Sequence, residues 1–200
     1  ATYLGAAADL KTDELQQEIF QNYSYLYIEG YLVQDHVLIE TAIDMARKEG
    51  LKIAIDLSSF NVVEAHLEFL KKLVAEKVEI VFANEEEALS FTGKQPEQAL
   101  DEIAEMCEIA VVKIGKEGSF IKRGDEKVQI GTIRATAIDT TGAGDNFAAG
   151  FLFGLTKGFS LQKSGKIAAL VSGKVVEVMG AKLPEFVWPG VLMEISEMED

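Results

Sequence analysis

The chain has 200 residues, 48% of them apolar and 26% charged, with a formal net charge of −14. That acidity argues against nucleic-acid or anionic-membrane binding, both of which need excess Lys and Arg, and no apolar run reaches membrane-spanning length. The single cysteine, Cys107, excludes an internal disulfide and a Cys-rich metal site, and points to a reducing, cytoplasmic setting.

Ala1-Thr2-Tyr3-Leu4-Gly5 reads as the inside of a strand, with Thr2–Leu4 as its core. It has no initiator Met and no leading turn, which predicts a fragment or a processed piece. Asp9, Lys11, Asp13 and Glu14 interrupt the apolar stretch that a signal peptide needs. Thr12 is a candidate cap for a helix starting at Asp13-Glu14. Ser24–Ile28 is aromatic and β-branched enough for a strand. Asp35 caps a helix through about Lys48, with Val37, Ile39, Ala42, Ile43 and Ala46 as its apolar positions, and Gly50 ends it. Leu51–Leu57 is a strand. Asn61 opens a helix with Val63, Leu67, Leu70 and Val74 on one face, and Val78–Ala83 is the next strand.

Two short helices follow, about Glu85–Thr92 and Gln95–Met106. Ile109–Ile114, Ser119–Lys122 and Lys127–Ile130 are three close strands, with turns at Gly118 and Gly124-Asp125. Two long helices, about Gly142–Lys157 and Leu161–Met179, complete the pattern. Repeated β-α-β crossovers favour a parallel sheet flanked by helices, here with an antiparallel edge. The expectation is one doubly wound α/β domain over residues 1–200, without repeats or linkers.

Gly142-Ala143-Gly144-Asp145 stands where a loop becomes a helix, whose apolar residues are Phe147, Phe151, Leu152 and Leu155. The first turn presents free N–H groups, and small residues let an anion approach them. Such an anion hole suits a terminal phosphate and the charge that develops in its transfer. The net charge does not oppose this, since local N–H groups and a cation suffice to hold a phosphate chain. Asp145 has two readings of equal weight on shape alone. It either stabilises the helix start through the dipole or accepts the proton of an attacking hydroxyl.

Asp139-Thr-Thr-Gly-Ala-Gly-Asp145-Asn-Phe-Ala-Ala-Gly-Phe-Leu152 resembles, without a gap, the C-terminal signature of the PfkB-type carbohydrate kinases, the ribokinase-like family. The resemblance implies Asp145 as catalytic base and Gly142, Ala143 and Gly144 as anion hole. Asn84-Glu85-Glu86-Glu87 is similar to the family's Asn-x-x-Glu motif, which implies Asn84 and Glu87 as water-mediated organisers of Mg²⁺. By itself it reads as an N-cap with three glutamates in a first helical turn.

Lys113-Ile-Gly115-Lys-Glu-Gly118 resembles the family's Thr-x-Gly-x-x-Gly nucleotide turn, with Lys113 in place of threonine; alone it is a glycine-punctuated hairpin. Gly180-Ala181 resembles the loop near the adenine. Asp139 and Thr141 match positions that hold a monovalent cation such as K⁺ in some members. The asparagine that lies near the adenine in ribokinases falls at Ala169 here. Ala1–Ala6 and Tyr27–Leu32 are similar to interior segments of the adenosine-kinase-like branch. Nearly the whole chain resembles the C-terminal half to two-thirds of a family member. The N-terminal strands, the Gly-Gly segment and the β lid, through which dimers often form in the family, are missing. An exposed sheet edge or apolar patch is expected where they belong.

His36 and His66 lie on predicted helices without a partner at metal spacing, and read as solvated or lightly packed. Cys107 reads as a core residue. There is no Gly-x-Ser-x-Gly elbow and no Walker lysine loop. The resemblance implies an ATP- and Mg²⁺-dependent kinase that phosphorylates a hydroxyl of a sugar or nucleoside. The rival is a non-catalytic or truncated nucleotide-binding domain, and a native mass near 22 kDa would favour it.

Overall fold

The computed structural model describes residues 5–200. The strand expected at Thr2–Leu4 lies outside them. The fold is α/β and ribokinase-like: six strands follow one another in chain order in a mixed sheet, mostly parallel and antiparallel at the edge, flanked by helices. Contacts divide the chain into two compact units, the first ending at Lys113 and adding Lys122–Glu126, the second holding Ile114–Ile121 and Lys127–Asp200.

In the first unit, strands β1 (Tyr25–Glu29), β2 (Lys52–Asp56), β3 (Ile80–Asn84) and β4 (Ile109–Lys113) pair in parallel. β1 stands at one end of the strand order among the described residues. The crossovers are α1 (His36–Lys48), α2 (Phe60–Ala65) with α3 (Leu67–Lys77), and α4 (Glu85–Thr92) with α5 (Pro96–Ala104). β2, β3 and β4 are near-continuous apolar runs because a parallel sheet is covered on its faces; Ile53, Ile55, Val81, Phe82 and Val112 have no exposed surface. Asp35 caps α1 by accepting from Leu38 N at 2.9 Å. The buried face of α1 is Leu38, Ile39, Ile43 and Ala46, whereas Val37 points out at 65% exposure.

Two expectations are corrected here. In place of the helix expected from Asp13 stand two short 3₁₀ segments, Thr12–Glu14 and Gln17–Phe20, after another at Gly5–Asp9. Only Phe20 in them is buried, so no apolar stripe holds a longer helix. The helix expected from Asn61 starts at Phe60 and breaks at His66, whose φ of −126° leaves the helical range.

The second unit holds α6 (Ala143–Thr156), α7 (Leu161–Val175) and α8 (Trp188–Glu197). The two remaining strands, β5 (Ser119–Arg123) and β6 (Glu126–Ile130), are joined by Gly124-Asp125, too short for a parallel crossover. Gly150 lets α6 approach α7, since a Cβ there would meet Ala168 Cα at 2.9 Å. α7 stops four residues short of the expected Met179, because Val176 O turns to accept from Ile138 N and Asp139 N. α8, which the sequence pattern did not announce, begins at Trp188-Pro189-Gly190, with proline in the first helical turn where it is favoured. Its Val191 and Ile195 join a core with Leu170, Val171 and Leu183. Among the described residues no helix is long and apolar enough to cross a membrane.

Candidate active site

The C-terminal ends of β2, β3 and β4 gather polar side chains in the first unit. Parallel α/β sheets bind ligands at these ends. Asn84 closes β3 and caps α4: its Oδ1 accepts from Glu87 N at 2.9 Å, while Glu87 returns Oε2 to Asn84 N at 2.8 Å and Oε1 to Asn84 Nδ2 at 2.7 Å. This reciprocal capping box holds the Glu87 carboxylate against the Asn84 amide. Glu87 is 3% exposed. Burial above all, then the Asp56 charge, pushes its carboxyl up to about 7, against the pull of Lys113 and the Asn84 N–H.

Asp56, at the end of β2, receives Lys113 Nζ at 2.7 Å on Oδ2 and Ser58 N at 2.8 Å on Oδ1. The expected nucleotide-turn residue Lys113 is thus engaged by a buried carboxylate. Sequence reasoning did not single out Asp56, an acidic residue at the end of an otherwise apolar strand. The companions Gly115 and Gly118 lie in the second unit, in a tight 3₁₀ turn where Gly118 N donates to Gly115 O at 3.1 Å and Ile114 N to Gly118 O at 2.8 Å.

In the second unit the start of α6 and the loop after α7 meet. Asp139 Oδ1 accepts from Thr141 N at 2.9 Å and Thr141 Oγ1 at 2.7 Å, and its Oδ2 accepts from Gly180 N at 2.8 Å. These donors, the Thr141 hydroxyl first, hold the Asp139 carboxyl below its ordinary range. Gly142 caps α6 with φ of +75°, and a Cβ there would collide with Ala181 Cβ. Glycine is required on both counts. Asn146 Nδ2 donates to Gly142 O at 2.9 Å and Ala181 O at 3.0 Å, and Ser172 Oγ donates to Ala143 O at 3.0 Å.

Asp139, Thr141, Gly142, Ala143, Gly144, Asp145, Gly180 and Ala181 therefore share one neighbourhood. Asn146 and Ser172 are its clamps, and sequence reading assigned them no role. Ala143 N already donates to Thr140 O at 3.2 Å. The N–H groups of Gly144 and Asp145 have no acceptor among the described residues, which leaves them for an anion. Asp145 is exposed in that first turn, and no described residue holds its carboxylate.

Outside these places, His36 Nε2 and His66 Nδ1 stand 3.1 Å apart and His36 stacks on Phe69, so the two histidines are lightly packed against one another. They come from α1 and from the α2–α3 break, 30 residues apart, so no sequence spacing signals the contact. No group of three or more His, Cys, Asp or Glu suited to a metal occurs among the described residues. Cys107, expected in the core, is part-buried; what burial it has pushes its thiol up to about 12.

The pfkB family carbohydrate kinase profile matches residues 1–186. The chain belongs to the PfkB family of carbohydrate kinases. It is 32% identical over 149 residues to the ATP-dependent 6-phosphofructokinase of Thermoanaerobacterium thermosaccharolyticum, covering 72% of this chain and 46% of that protein. The fold superposes on a probable sugar kinase of Rhizobium etli CFN 42 with TM-score 0.89 and 32% identity. On the adenosine kinase of Sinorhizobium meliloti the TM-score is 0.88 at 33% identity, and in both cases 96% of this chain and 61% of the other are covered. This PfkB chain thus spans about half to three-fifths of the length of these relatives.

Proposed function

We propose that this PfkB chain is the ATP-binding and catalytic portion, over residues 1–200, of a kinase that transfers the γ-phosphoryl group of ATP to a hydroxyl of a sugar or nucleoside. The observation that carries the reading is the start of α6: an unheld carboxylate, Asp145, beside N–H groups that lack an acceptor. The carboxylate takes the proton of the attacking hydroxyl. The hydroxyl oxygen forms the new bond to the γ-phosphorus, and the bond to the bridging oxygen breaks to leave ADP. The N–H groups of Gly144 and Asp145, with the clamped backbone of Gly142 and Ala143, stabilise the charge on the transferring group.

Asn84 and Glu87 are assigned to Mg²⁺. Their donors are oxygens, which suit a hard cation, and the near-complete burial of Glu87 suits contact through water. When bound, Mg²⁺ neutralises phosphate oxygens. Gly115, Gly118, Gly180 and Ala181 are assigned to the nucleotide, and Asp139 and Thr141 to a monovalent cation such as K⁺. The single cysteine, a free thiol, fits a reducing, cytoplasmic setting.

Two relatives, named as an adenosine kinase and a 6-phosphofructokinase, support a nucleoside or a sugar as acceptor. The test is a panel of labelled-ATP assays on the full-length protein, with nucleosides, free sugars and sugar phosphates as acceptors. ATP-dependent labelling of at least one acceptor is expected. Tight ATP binding with no labelling of any would overturn the proposal in favour of a non-catalytic nucleotide-binding domain.

A further inference from the structure

We infer that Asp56 is a positioning residue that holds the Lys113 ammonium away from Glu87, and so keeps the Glu87 carboxylate available to a divalent cation. The inference rests on the assignment of Asn84 and Glu87 to that cation. Lys113 stands directly opposite Asn84 in the β3–β4 register, next to the residue that carries Glu87 in its capping box. A lysine there has a carboxylate at hand in Glu87, and both the Asp56 and Lys113 charges act on that carboxyl. Yet the structure pairs Lys113 with Asp56, at 2.7 Å and with side-chain exposures of 18% and 8%.

The strand end is built to hold Asp56 for this pairing. Ser58 sits at φ of +61°, a conformation that a non-glycine residue rarely adopts. From there its N–H donates to Asp56 Oδ1 at 2.8 Å, which leaves Oδ2 for Lys113. Ser58 Oγ accepts from Gly30 N at 2.7 Å. A Cβ on Gly30 would meet Asp56 O at 2.6 Å, so β1 and β2 end in close contact here. One acidic oxygen is thus occupied by the turn and the other by the ammonium. Glu87 keeps only its Asn84 contacts.

The two single variants should act in opposite directions. In Asp56→Asn the ammonium loses its carboxylate and turns to Glu87, so cation binding weakens. In Lys113→Met a second carboxylate stands unpaired near Glu87, which costs fold stability but does not weaken cation binding. The double variant restores the neutral balance. Mn²⁺ binding to the full-length protein with ADP present, followed by electron paramagnetic resonance, reads this without catalysis, and thermal unfolding runs beside it. Asp56→Asn should weaken Mn²⁺ binding at least about tenfold, the size of a one-unit charge interaction. Lys113→Met should bind Mn²⁺ no more weakly than the parent, and Asp56→Asn with Lys113→Met should return to within about threefold.

Equal weakening in both single variants, or none in Asp56→Asn, overturns the inference, because a purely structural pair destabilises without splitting the affinities. Glu87→Gln separates the two levels. If Glu87→Gln leaves Mn²⁺ affinity unchanged, the assignment of Glu87 to the cation fails. If only Asp56→Asn leaves it unchanged, the positioning role alone fails.

Discussion

The Asp139 carboxylate receives the N–H of Gly180 at 2.8 Å, tying the loop before α6 to the loop after α7 across 41 residues of sequence. Its other oxygen receives both donors of Thr141. Asp139→Ala removes all three acceptors and loosens the start of α6 on both sides. Turnover should fall at least about tenfold, as expected when a positioning contact near the chemistry is lost. The hydrogen bonds lower the Asp139 pKa, so their stabilisation is present above the ordinary carboxylate range. It is lost only as pH falls through the lowered value. Activity between pH 6 and 8 should therefore show no limb due to Asp139, and initial rates of parent and variant across that range check it.

Glu87 gives the opposite sign. Its carboxyl is raised from 4.5 to about 7, mainly by burial. Between those values the folded state holds a proton that the unfolded state has released. Stability should thus be highest at and below the unfolded value and fall as pH rises through 7. The loss is bounded at about 3 kcal/mol. Urea unfolding at pH 5, 6, 7 and 8 measures it. Glu87→Gln, which keeps the shape and carries no charge, should flatten the dependence.

The sheet was legible because β2, β3 and β4 are buried on their faces and appear as unbroken apolar runs, and because Asp35, Asn84 and Gly50 punctuate the helices. The α6 neighbourhood was legible because Asp139 to Asp145 are contiguous and only Gly180-Ala181 had to be added. What escaped are long-range partners of ordinary residues. Asp56 meets Lys113 across 57 residues, and Asn146 reaches Ala181 across 35. His36 and His66 meet only because α2 breaks before α3. The division of the strand and helix pattern into two compact units also has no sequence marker, since no linker separates them.

Gly142 has a second test of the loop arrangement. Its φ is +75°, and Ala181 fills the space where a side chain would go. Gly142→Ala should lower stability by at least about 2 kcal/mol, combining left-handed backbone strain with the collision. Thermal and urea unfolding measure the loss. Gly180→Ala, where nothing lies within 4 Å of an added Cβ, should show the backbone strain without a collision and cost less.

Cys107 offers a check on packing at the β4 end of α5. Burial raises its thiol to about 12, and its Sγ lies 3.2 Å from Ile103 O and 3.3 Å from Ile109 O. Thiolate is the reactive form, so labelling by a disulfide reagent at pH 8 should be far slower than for a free thiol. Labelling should reach the free-thiol rate only in denaturant. The time course of the reagent's colour change in native and unfolded protein measures both.

The central claim is that Asp145 is the base of a phosphoryl transfer at the start of α6. Asp145→Asn keeps the size of the side chain, and removes its charge and its capacity to take a proton. Steady-state kinetics of this variant in the full-length protein, beside calorimetric ATP binding, tests the claim most directly. Turnover should fall by about three orders of magnitude or more, within the range for loss of a general base, while ATP affinity stays within a few-fold of the parent. Near-parental turnover in Asp145→Asn would contradict the account.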